Sequence, residues 1–158
     1  MKKVIYFILF VFAGVLDSSI QAQENDGIHW KNWSELEESF NKNPKPVFLF
    51  FHADWCVYCK KMERVVFKKE EIIQKLNNDY YAVEMNVETT DTIFFDGMTF
   101  SNIQAQTQRN GVHQIPLLFA SRENKPFSLP AMIILNQDFT VRTRIFEYNT
   151  SKQLLKAL

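Results

Sequence analysis

The stretch Phe51-His52-Ala53-Asp54-Trp55-Cys56-Val57-Tyr58-Cys59-Lys60-Lys61-Met62-Glu63 decides the fold. Cys56 and Cys59 are the only two cysteines in the chain. Upstream, residues 47–51 form an unbroken apolar run, the pattern of a strand covered on both faces. Downstream, residues 57–67 place Met62, Val65 and Val66 among Lys60, Lys61, Glu63 and Arg64, which reads as helix. Cys56 is therefore expected after a strand and at the start of a helix. There the unpaired N–H groups and the helix dipole favour a thiolate, lowering a thiol pKa from about 8.5 into the range of roughly 3.5 to 7.5. Such a thiolate attacks a disulfide, and a second thiol one helical turn later resolves the mixed disulfide.

The other uses of a cysteine pair fit less well. A loop this short removes little entropy from the unfolded chain, so a purely structural disulfide gains little. His29, His52 and His113 lack the spacing of a zinc site. Covalent haem attachment needs His after the second cysteine, and position 60 is Lys. A redox dithiol remains, with no cofactor and no metal expected.

The chain has 158 residues, enough for one domain, and is 46% hydrophobic with fifteen Phe, so a core forms without disulfide staples. Basic and acidic residues both number 18. Lys2 and Lys3 followed by an uncharged, mostly apolar run at 4–16 read as a secretory signal peptide, residues 1–22, with cleavage after Ala22. The run is shorter than the roughly 20 residues a membrane span needs, so no permanent anchor is expected. The leader carries no Cys for lipid attachment. Without the leader, one negative charge is in excess, which leaves no electrostatic case for nucleic acid or an anionic membrane surface. A periplasmic or secreted location follows. Sequons at Asn32 and Asn149 carry little weight, because such triplets arise often by chance.

Residues 23–158 then make one domain. A short edge strand is expected at 28–30. Asn32 or Ser34 caps a helix with Trp33, Leu36 and Phe40 on one face, stopped by Asn43-Pro44-Lys45-Pro46. A helix at 70–76, a strand at 80–87, strands at 129–135 and 140–148, and a closing helix at 152–158 capped by Thr150 or Ser151 complete the pattern. That order is α/β, with helices flanking a central mixed sheet.

The quoted stretch resembles the active-site segment of thioredoxin-like proteins. It is most similar to the C-terminal periplasmic domain of the thiol reductase DsbD, whose run is Ala-Asp-Trp-Cys-Val-Ala-Cys-Lys, and to exported thioredoxin-related proteins of the Bacteroidetes. The resemblance implies a thioredoxin fold and a thiol–disulfide oxidoreductase. Cys56 would be the attacking thiol and Cys59 the resolving one. Trp55, Val57 and Tyr58 would border the substrate, and Glu63 would help move the proton of the buried thiol. It also implies a cis-proline facing the dithiol. Pro116 and Pro130 compete for that place. Pro130 fits better, because strand, turn, strand and helix follow it, so Ser128, Leu129 and Pro130 would line the substrate groove. Implied partners are disulfide-containing exported proteins and a membrane thiol reductase as electron donor. Val-Tyr between the cysteines, without His, favours a reductase or isomerase direction. A binding module or chaperone without redox turnover is the alternative.

Two departures stand out. Family members usually carry a buried Asp six residues before the first cysteine, and here that position is Phe50. The stretch 89–128 exceeds what a minimal member needs and reads as an insertion of about 20 to 30 residues before the cis-proline strand. Phe94, Phe95 and Phe100 within it are expected to pack in the core or to form a partner surface.

Overall fold

The computed structural model describes residues 27–158, so the proposed leader lies outside the described residues. Strand β2 (Val47–His52) is the centre of a five-stranded mixed sheet. Its neighbour β3 (Tyr81–Asn86) runs parallel to it, and β1 (Trp30–Lys31) extends that edge in parallel. On the other side β6 (Ala131–Leu135) and β7 (Val141–Ile145) are both antiparallel to their neighbours. Val47 to Phe51 and all of β6 are fully buried, which is why neither strand alternates in sequence.

Helix α1 (Trp33–Lys42) begins in a capping box between Asn32 and Glu35 and buries Trp33 and Leu36. Helix α2 (Val57–Lys61) does not run on as regular α-helix. Residues Met62–Val66 form a π-helical turn that buries Met62 and Val66 and leaves Val65 exposed. Helix α3 (Glu70–Asp79) follows. The closing helix α5 (Ser151–Ala157) starts in a second capping box, between Thr150 and Gln153.

The stretch 89–128 folds into three pieces. Strands β4 (Ile93–Phe95) and β5 (Met98–Phe100) make a hairpin, turned by Asp96 and Gly97 with φ of 51° and 70°. A 3₁₀ turn, Ile103–Gln106, lies close against Gly111, where a Cβ would overlap the backbone of Gln104 and Ala105. Helix α4 (Gln114–Ala120) then contains Pro116, at a first-turn position whose N–H has no helical partner to lose. Ile115-Pro116-Leu117 is therefore a helix start rather than a strand entry. Phe95 and Phe100 are core residues, while Phe94 is exposed. Trp33 of α1 meets Phe95 edge-on at 5.0 Å and stacks on Phe119 at 6.3 Å, which ties the hairpin and α4 to the main core.

Fully buried His113 ties the two ends of this segment together. Its Nδ1 accepts the Ile115 N–H at 3.2 Å as the cap of α4, and its Nε2–H faces the Asp91 carbonyl at 3.2 Å. Burial holds the imidazole below its ordinary value. A lowered folded pKa means the stabilisation is complete above about pH 6.5 and is lost as pH falls below it. Urea stability is expected to decline from pH 7 to 5, and His113→Asn, which keeps a cap acceptor, should lessen that decline. An unchanged slope in the variant would reject His113 as its source.

Candidate active site

Chain direction and register bring the candidate residues together. The turn Ala53–Trp55 leaves the C-terminal end of β2 and enters α2 at Cys56. Because Phe51 pairs with Ala131 across the antiparallel β2–β6 ladder, Pro130 sits at that same end of the sheet. The Leu129–Pro130 peptide bond is cis.

Cys56 and Cys59 form a disulfide, with Cα atoms 5.2 Å apart. The N-cap of α2 is Cys56 itself. Its sulfur accepts the Cys59 N–H at 3.1 Å, whereas Asp54 accepts from the Asn86 side-chain amide at 3.2 Å. Cys56 keeps 4% of its surface and Cys59 none. Beside the two cysteines the apolar side chains stand out: Trp55 is 58% exposed, Val57 75% and Tyr58 59%. Pro130 is buried, and Ser128 and Leu129 are half-buried.

Supporting contacts come from residues that the sequence reading did not single out. The Trp55 indole N–H donates to Glu88 at 2.8 Å, and the Val87 N–H donates to the His52 carbonyl at 2.8 Å. Tyr148 lies 6.5 Å from the Tyr58 ring, with the Lys61 ammonium 4.3 Å above the Tyr148 ring. These partners are separated in sequence by 33 to 90 positions, so no local pattern marks them.

Glu63 stands one turn beyond Cys59, its carboxylate 4.0 Å from the His52 imidazole. Burial holds His52 below its ordinary value, against the pull of Glu63 and Asp54. Glu84, on β3, lines one small cavity together with Glu63, Trp30 and Phe67. Partial burial, then repulsion from Glu63, pushes the Glu84 carboxyl above its usual range. Phe50, at the position of the usual buried acid, is entirely enclosed by Phe67, Trp30 and the His52 ring.

Residues 34–158 match the family model described as a thioredoxin-like domain. The chain belongs to that family. Among curated proteins, this thioredoxin-like chain is similar to the thiol:disulfide interchange protein DsbD of Campylobacter jejuni strain RM1221, with 38% identity over 56 residues, 35% of this chain and 10% of that protein. It also resembles DsbD of Vibrio vulnificus, with 31% identity over 111 residues, 67% of this chain and 15% of that protein. The chain thus spans about a tenth of the length of the first of these relatives. Among solved structures it superposes on a DsbH oxidoreductase with a TM-score of 0.54, at 20% identity over 82% of this chain and 81% of that one. A thioredoxin from Thermus thermophilus gives 0.54 at 17% identity, over 82% and 83%. The thioredoxin-like fold carrying a Cys-x-x-Cys disulfide is thereby established.

Proposed function

We propose that the chain is an exported thiol–disulfide oxidoreductase that reduces or exchanges disulfides of exported proteins. The observation that carries this reading is the asymmetric dithiol: Cys56 at the helix start, its sulfur accepting a backbone N–H and the residue keeping a little surface, and Cys59 fully enclosed behind it.

The reduced Cys56 thiolate attacks a substrate disulfide, and one substrate sulfur leaves as a thiolate. The Cys59 thiolate then attacks Cys56, the second substrate sulfur departs, and the Cys56–Cys59 disulfide forms as the substrate gains two electrons. The N–H of Cys59 stabilises the Cys56 thiolate before attack and as leaving group. Glu63, beside His52, takes the Cys59 proton. Trp55, Val57 and Tyr58 hold the apolar flank of the substrate, while residues 128–130 form the opposite wall. Residues 1–22 act as the export leader, residues 89–128 are an insertion packed against α1 and β6, and a membrane thiol reductase returns the electrons.

Among the described residues no helix is long and apolar enough to cross a membrane. The direction of transfer is tested by equilibrating the dithiol with glutathione buffers. The expected reduction potential lies well below that of strong oxidants, and a value of about −120 mV would reverse the direction.

A further inference from the structure

Residues 121–130 link α4 to β6, and the wall next to the dithiol is their last part. The strand ladder begins only at Ala131, so the backbone of residues 126–130 receives no orientation from sheet pairing. Among the described residues, the side-chain hydrogen bonds to that segment come from Arg122 alone. Its Nη2 donates to the Pro126 carbonyl at 3.2 Å and to Ser128 Oγ at 2.7 Å. The guanidinium carbon lies 3.8 Å from the centre of the Phe146 ring. Phe146 follows the last paired residue of β7, Ile145, which faces Met132. The ring is thus at the sheet end where Pro130 enters. Arg122 also pairs with Lys125 in an isolated bridge, closing a turn through Asn124 at φ 56°.

Arg122 makes no ion pair among the described residues, so its charge is directed to a carbonyl, a hydroxyl and an aromatic face. A planar guanidinium suits this arrangement, because it stacks on the ring while its edge donates sideways. An ammonium has no plane to stack and no fixed fork.

We propose that Arg122 is a positioning residue for protein substrates, fixing through Ser128 the backbone of residues 128–129 along which the substrate chain lies. The inference rests on the reading of residues 128–130 as the groove wall. Its consequence is selective. A small disulfide that reaches Cys56 without lying on the wall does not sense Arg122, whereas a polypeptide does.

The test compares insulin, a protein disulfide, with 4,4′-dithiodipyridine, a small one, as oxidants of the reduced enzyme. Arg122→Ala is expected to raise KM for insulin about tenfold with kcat held within about twofold, as loss of charged hydrogen bonds on a binding surface does. The rate with 4,4′-dithiodipyridine and the Cys56–Cys59 potential should not move. Arg122→Lys should restore part of the loss. Ser128→Ala, which deletes one hydroxyl and disturbs the fold least, should show a smaller rise in KM and add nothing in the Arg122→Ala background. An unchanged KM for insulin in both single variants overturns the proposal, as does an equal loss toward both oxidants. Failure of the unaltered protein itself with insulin, alongside a normal rate with 4,4′-dithiodipyridine, would instead overturn the groove reading beneath it.

Discussion

Cys59→Ala is expected to turn the protein into a covalent trap, accumulating mixed disulfides through Cys56 while steady-state disulfide reduction falls by at least about a thousandfold. The size of the effect follows from the placement of the two sulfurs. Cys59 is wholly enclosed and Cys56 keeps a little surface, which is why the proposed mechanism gives the first attack to Cys56. After that attack the resolving sulfur is held by the same helical turn, with Cα atoms 5.2 Å apart. Intramolecular resolution then competes against dilute external thiol, and well-oriented intramolecular reactions reach effective molarities of about 10⁵ M or more. Deleting Cys59 removes that advantage and leaves the adduct stranded. Cys56→Ala should form no adduct at all, since the enclosed sulfur cannot be reached. Non-reducing electrophoresis and intact-mass measurement after mixing with a disulfide-bearing protein give the readout. An adduct in Cys56→Ala but not in Cys59→Ala would invert the assignment of roles. Full cellular activity with both cysteines replaced by Ser would leave only the binding-module reading.

What could be read in the sequence was local. The apolar run of β2, the cysteine spacing and the start of α2 lie within one window, and their periods specify strand, turn and helix without reference to anything distant. The order of elements after Pro130 likewise separates it from Pro116, whose surroundings look strand-like only when the first-turn tolerance for proline is ignored. The π-helical turn at Met62–Val66 could not be read, since an added residue per turn leaves the apolar spacing nearly unchanged over so few positions. Nor could the supports of the site. Glu88 under Trp55, Tyr148 beside Tyr58, and Arg122 behind Ser128 become neighbours only after the sheet and its crossover have formed. The residues proposed to do the chemistry are contiguous, and those proposed to aim them are scattered.

Phe50→Asp, which restores the acid usual at this position in the family, is expected to destabilise the fold by at least about 4 kcal/mol, a large share of the 5–15 kcal/mol typical of a domain. Phe50 is fully buried at the middle of the sheet, between Glu84 of β3 and Met132 of β6 in the ladder. Its ring meets Phe67 edge-on at 4.9 Å, stacks against His52 at 5.5 Å and lies 6.2 Å from Trp30. Removing a buried Phe costs about 3–5 kcal/mol by itself, and a carboxyl in that space has no cation within the cluster to pair with. Phe50→Leu, which refills most of the volume, should cost less than half as much. Urea midpoints of the oxidised protein, with unchanged m-values, measure both. A cost for Phe50→Asp under about 1 kcal/mol would mean that the interior accepts a carboxyl here, as the family pattern has it. The expected large loss means the opposite: the interior around Phe50 is committed to aromatic packing, and the acid proposed to serve Cys59 is Glu63, beside His52.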